Sequence, residues 1–225
     1  MGLKINFYYL FSQKKSLIEI DSICRINNIL FNKYGDGEYS YWIDGPIWKY
    51  GDAKNKKYCK KEDRVCSQDI IHSAINYYSP ILKYDVASHG KSYPVILSAI
   101  EQECDDSIEI GVSIDEDFLT DQMVDREQRT LFLKSLFLSI AKLQDCYWGI
   151  AGLELAGFNG TVPIGWDQLT ANDFYDLCFI SNQAMSNITL NMESLKEGFS
   201  ITTGPNQSVF IQRGGELFAI DRSIN

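Results

Sequence analysis

Tyr93-Pro94-Val95-Ile96-Leu97-Ser98-Ala99-Ile100 and Ile108-Glu109-Ile110-Gly111-Val112-Ser113-Ile114 flank a polar heptapeptide, Glu101-Gln102-Glu103-Cys104-Asp105-Asp106-Ser107. In the second run Ile108, Ile110, Val112 and Ile114 recur with the period of two that a half-buried strand shows. The first run is apolar apart from Ser98 and of strand length. The pair reads as a hairpin with a long acidic turn. The alternative for the first run is a helix opening at Pro94, because proline suits the first helical position.

Working outward toward the N-terminus, Ile5 to Phe11 is rich in β-formers and leaves through Ser12-Gln13-Lys14-Lys15, a strand and its exit turn. A helix is expected next. Ser16 and Glu19 have capping-box spacing, Ile20, Ile23, Cys24, Asn27, Leu30, Phe31 and Tyr34 follow at helical spacing, and Gly35 stands at the C-terminal cap. Tyr39 to Ile43 predicts a second strand, broken by Gly45-Pro46. From Trp48 to Arg64 lysines dominate and predict an exposed loop. Ser67 to Tyr78 places Ile70, Ile71, Ala74, Ile75 and Tyr78 on one helical face and stops at Pro80.

Toward the C-terminus, Asp125 and Gln128 have capping-box spacing, and Leu133, Leu136, Phe137, Ile140 and Leu143 form the strongest apolar stripe of the chain. This third helix is expected to anchor the core. Cys146 to Leu155 reads as a strand behind it, and Val162-Pro163-Ile164-Gly165-Trp166 opens another ordered segment. Phe199 to Thr203 and Val209 to Gln212 read as short strands, with a last one at Leu217 to Ile220 after Arg213-Gly214-Gly215-Glu216. Without repeats, low-complexity tracts or a linker, residues 1–225 are expected to form one α+β domain: a mostly antiparallel sheet with about three flanking helices.

A chain of 225 residues, 45% hydrophobic, can build a sizeable core. Its formal charge of -9 would repel a polyanion over most of the surface, so direct nucleic-acid binding is not expected. Six scattered cysteines lack the density of a disulfide-stapled module and read as reduced thiols. No stretch has the length of a membrane span, and the N-terminal apolar run is too short and polar for a secretory signal. A soluble, cytoplasmic protein is the expectation.

Catalytic chemistry is thinly represented. His72 and His89 are the two histidines. His72 falls off the apolar face of its helix, and His89 lies in Ser88-His89-Gly90, a loop. No nucleophile elbow, Walker-type or dinucleotide-type glycine pattern occurs. Cys59, Cys66 and His72 lack the paired spacing of a closed metal site, so neither metal nor cofactor is expected.

Charge pattern carries more information. From Glu101 to Glu127, eleven carboxylates accompany one basic residue, Arg126. Interleaved as they are with apolar strand residues, they should decorate an ordered face rather than a disordered tail. Asp105, Asp106, Asp115, Glu116, Asp117 and Asp121 are the candidate partner-binding residues, suited to a basic cleft on another protein. The structural alternative is a turn and helix N-terminus that favour Asp and Glu for dipole reasons.

Several strings together resemble the bacterial immunity protein 52 family. They are the strand-helix-strand opening, Tyr93 to Ser98 leading to Ile108-Glu109-Ile110-Gly111-Val112, and the amphipathic third helix. Val162 to Trp166 followed by Leu169-Thr170-Ala171-Asn172-Asp173, and Gly198 to Thr203 leading to Phe210, complete the set. The Lys-rich loop and the ending after Phe210 depart from that family. The resemblance implies an inhibitor encoded beside a polymorphic or type VI secretion toxin, commonly a restriction-endonuclease-like nuclease. It implies no catalytic residues. Two other readings stay open: a small enzyme using His89 and nearby carboxylates, and a general adaptor.

Overall fold

The structure is a computed structural model. It describes residues 3–13, 16–31, 39–42, 56–59, 72, 81–88, 90–101, 107–121, 126–153, 176–186, 190, 195 and 198–219. Strand β1 (Lys4–Phe11) leads into helix α1 (Ser16–Ile26), followed by β2 (Ile29–Phe31), β3 (Tyr39–Trp42), β4 (Lys56–Cys59), β5 (Ile81–Ser88), β6 (Lys91–Glu101) and β7 (Ile108–Asp115). A one-turn helix α2 (Asp117–Thr120) and the long α3 (Arg126–Ala141) precede β8 (Cys146–Leu153), β9 (Leu177–Ile180), α4 (Asn182–Met185), β10 (Phe199–Thr203) and β11 (Val209–Arg213).

All described strands join one sheet in the order β10-β11-β9-β8-β1-β7-β6-β5-β3-β4, with β2 also on β5. Every pairing is antiparallel. The chain is an α+β protein built on a single antiparallel sheet. Its first strand sits near the middle, between β7 and β8, so the local hairpins β5–β6 and β6–β7 join the C-terminal strands only through β1.

The principal core lies where α1 and α3 cover one face. Ile5, Phe7, Tyr9 and Phe11 of β1 meet Leu17 and Ile20 of α1 and Leu133, Phe137 and Ile140 of α3, all without exposure. Tyr9 stacks on Phe137 with ring centroids 5.3 Å apart and donates its hydroxyl to the Phe137 carbonyl at 3.2 Å. Gly149 makes room for this pair, since a Cβ there would stand 2.9 Å from Tyr9 Cδ1 and 3.2 Å from Phe137 Cζ. On the opposite face a second core gathers Leu10, Trp148, Ile150, Ile180 and Ile211 beneath Ala184 and Leu195.

The β6–β7 hairpin forms as the sequence predicts, with Leu97 opposite Val112 and Ala99 opposite Ile110. The helix alternative at Pro94 does not occur. Pairing with β7 ends at Val95, one residue short of the proline that has no N–H to donate.

Helix α1 is shorter than its spacing predicts. Asn28 turns left-handed at φ 58, and Asn27 Nδ2 donates to the Ile23 carbonyl at 2.8 Å, so Leu30 and Phe31 continue as strand. Ser16 Oγ is buried without a hydrogen bond among the described residues, so the expected capping box is not built. Within the expected Lys-rich loop, Lys56–Cys59 forms β4, which pairs with β3 at one end of the sheet.

Leu217 and Phe218 form a turn rather than a last strand. Phe218 takes φ 56 and packs its ring 6.2 Å from that of Phe7, while Arg126 holds the segment through Glu216 at 2.5 Å and the Phe218 carbonyl at 3.3 Å. The expected helix over Ser67 to Tyr78, apart from His72, lies outside the described residues, as do Ile43, Asp125, Leu155, Ile220 and the segment Val162 to Trp166.

Candidate functional site

Strand β7 ends at Asp115, and the chain turns at once into α2. The Glu116 N–H donates to the Leu3 carbonyl at 3.1 Å, and Phe118 and Leu119 are buried in the principal core. Asp117, on the same turn, is exposed. Opposite stands the start of β6, placed by the tight β5–β6 connection that pairs Ser88 with Lys91. An open cleft of about 670 Å³ separates the two, lined by Lys91, Tyr93 and Pro94 on one side and Asp115, Asp117 and Asp121 on the other.

A polar network forms the support beneath this cleft. Arg129 of α3, 3% exposed, donates to the Phe118 carbonyl, to Ser88 Oγ at 3.3 Å and to Tyr93 Oη at 3.3 Å. Its guanidinium lies 4.7 Å from the Phe118 ring centroid and 4.9 Å from that of Tyr93. Tyr93 donates onward to Asp121 Oδ2 at 2.5 Å, and Lys91 Nζ reaches the same oxygen at 2.8 Å. The Asp121 side chain is only 8% exposed. Hydrogen bonding to Asp121, reinforced by its charge, raises the Lys91 ammonium pKa above its ordinary value.

At the other wall Lys4 Nζ sits 2.6 Å from Asp115 Oδ2. That hydrogen bond, helped by the Asp117 N–H, holds the Asp115 carboxyl below its ordinary range against the opposing effect of desolvation. Asp117 is exposed and has no ion-pair partner among the described residues. Glu116 is half-buried, with Oε2 lacking a hydrogen bond among the described residues.

Of the six candidate partner-binding residues, the structure therefore brings Asp115, Asp117 and Asp121 to one cleft, with Glu116 beside them. Asp105 and Asp106 lie outside the described residues. The eight residues of β7 put roughly 23 Å between Ile108 and Asp115. The acidic run is thus divided by the strand inside it. Two of the three cleft carboxylates are also structural, since Asp115 and Asp121 already hold lysines.

Arg129, Tyr93 and Lys91 were not among the expected site residues. Arg129 had a legible signal, standing four residues before Leu133 on the apolar stripe of α3 where a charge needs buried partners. Tyr93 and Lys91 had none, because their meeting with Asp121 depends on how β6 approaches α2. His89 lies outside the described residues, and His72 is exposed. Cys24, Cys146 and Cys178 are buried free thiols, with burial pushing Cys24 up to about 12. No helix among the described residues is long and apolar enough to cross a membrane.

Compared with protein-family models, curated proteins and solved structures, the chain matches none.

Proposed function

We propose that the chain is a non-catalytic binding protein that neutralises a toxin by occluding its basic cleft or blocking its assembly. The resemblance to immunity protein 52 implies a nuclease as the toxin and the producer's cytosol as the place of action. The observation that carries this reading is the convergence of Asp115, Asp117 and Asp121 on one open cleft. Carboxylates on a fixed backbone attract a cationic surface during encounter and lose little freedom on docking. A nuclease needs such a cationic surface to hold phosphate, so an acidic protein competes with its substrate for the same charges.

Co-expression with the product of the adjacent reading frame tests the proposal. Growth rescue and a co-purifying 1:1 complex are the expected result, and absence of both overturns it. Within that complex Asp117→Lys should lower the association rate roughly three- to tenfold at low salt, with a smaller effect at high salt.

A further inference from the structure

A second cavity opens at the other end of β1 from the cleft. Asp115 pairs with Lys4 where that strand begins, and Cys146 pairs with Phe11 where it ends. Here the C-terminal end of α3, the first residues of β8, the junction of β9 with α4 and the turn between β10 and β11 border a space of about 660 Å³. Sites for small ligands measure roughly 300–1,000 Å³. Ala141, Cys146 and Phe179, all buried, supply an apolar floor, and the half-buried Leu143 extends it.

The remaining lining is polar and nearly uncharged. Gln144, Asn182, Gln183 and Asn206 contribute amides, and Tyr147, Ser181 and Ser208 contribute hydroxyls. Lys142, which is exposed, is the one charged residue among the described residues of the lining, and none of them is a carboxylate in a chain that carries 30. Two walls are fixed by hydrogen bonds. The Ser181 hydroxyl accepts from the Ala184 N–H at 3.2 Å, and the Ser181 N–H donates to the Tyr147 carbonyl at 2.9 Å. In the β10–β11 turn the Gly204 N–H donates to the Ser208 carbonyl at 2.7 Å, and Asn206 and Gln207 both take left-handed backbone, with φ 57 and 61. Glutamine seldom adopts that region, and strain of this kind gathers where a loop clamps a ligand.

We propose that this cavity binds a cyclic polyol, a neutral pyranose sugar. Other ligand classes meet a specific cost here. A metal or organic cation would find no carboxylate in the described lining, and a phosphate would find one exposed ammonium on a chain of charge -9. A hydrocarbon would strip water from the four amides and three hydroxyls without replacing their hydrogen bonds. Amide and hydroxyl side chains between them donate and accept, which is what the ring hydroxyls of a sugar require, and the C–H face of its ring suits the aromatic floor at Phe179. The site lies apart from the acidic cleft and does not depend on the toxin-binding function proposed above.

The experiment titrates the full chain with glucose, galactose and N-acetylglucosamine, followed by ligand-observed NMR. Saturable binding of at least one of them is expected, with a Kd of roughly 1–10 mM, the strength of a small ligand held by a few hydrogen bonds. Gln183→Ala and Tyr147→Phe remove polar groups from the lining, and Asn206→Gly removes an amide at a backbone conformation that glycine accepts. With thermal melts confirming the fold, each should raise Kd about fivefold, the usual effect of losing one hydrogen bond. Asp117→Lys, in the cleft, should leave sugar binding unchanged. Failure of all three sugars to saturate at tens of millimolar overturns the proposal, and so does binding that none of the three lining variants weakens. Displacement of the sugar by inorganic phosphate would assign the cavity to an anion held at Lys142 and overturn it as well. Growth rescue and complex formation test the toxin reading separately, so either can fail without the other.

Discussion

Tyr93 donates its phenolic hydrogen to Asp121 at 2.5 Å while accepting from Arg129 at 3.3 Å, so one hydroxyl couples a buried guanidinium to the cleft carboxylate. Two elements far apart in sequence, the start of β6 and the segment after α2, are held together at this point. Remove the hydroxyl and Asp121 loses a hydrogen-bond donor, while Arg129 loses an acceptor. Tyr93→Phe retains the ring against Phe118, 5.4 Å away, and should cost about 1–2 kcal/mol. In a chain this long that is a fall in Tm of roughly 2–8 °C. An unchanged melt would show that the hydroxyl contributes nothing.

Arg129→Lys tests the geometry of the guanidinium. Arg129 serves the Phe118 carbonyl, Ser88 and Tyr93 from a planar fork between two rings, whereas an ammonium is a compact point donor. Arg129→Lys should therefore destabilise by about 2–3 kcal/mol, nearly as much as Arg129→Met, in urea titrations. Full retention of stability by the lysine variant would contradict this account.

Gly149→Ala probes the principal core. The added methyl would press on the Tyr9 and Phe137 rings, which are stacked and fully buried and have nowhere to move. A loss of about 1–3 kcal/mol is expected, the usual cost of overpacking. Wild-type stability would mean that the ring pair shifts freely.

Acid sensitivity follows from Asp115. Its folded pKa lies below the ordinary carboxylate value of about 3.9, so its contribution is complete above that value and disappears as pH falls through the lower folded one. The pair is partly exposed, 35% at Lys4 and 21% at Asp115, so no more than about 1 kcal/mol is at stake. Asp115→Asn should trail wild type at pH 6, with the gap narrowing below about pH 4. A gap that does not depend on pH would assign the loss to packing. Lys91 has the opposite sign: its raised pKa means that its contribution is present at neutral pH and lost as pH rises through that value.

Cys24, Cys146 and Cys178 should resist alkylation in the native chain at pH 8, because burial raises all three thiol pKa values and thiolate is the reactive form. Peptide-resolved mass spectrometry after a short iodoacetamide pulse would read each site separately. Labelling of any of the three without denaturant would contradict its burial.

The elements legible in the sequence are those whose partner is close in the chain. Ile108 to Ile114 alternates, its neighbour lies seven residues away, and the hairpin follows from these two facts. Likewise the Leu133, Leu136, Phe137 and Ile140 stripe is the buried face of α3. Leu30 and Phe31 were misread because their helical spacing is real but weaker than the left-handed turn at Asn28 and the pairing offered by β5. Strand β5 alternates as clearly as β7, whereas β9, four residues buried on both sides, has no period to read.

By itself, the sequence determined an antiparallel α+β sheet, an acidic surface and the scarcity of histidine, since periodicity and composition are local quantities. Tertiary structure alone decided which carboxylates share a site. Strand β7 ends with Asp115 in the wall of the cleft that Asp117 and Asp121 also line, and the packing of α3 beneath β6 brings Arg129, Tyr93 and Asp121 into one network. Charge along a chain adds up in one dimension. The field that a partner meets depends on distance in three, and on which charges the fold has already matched.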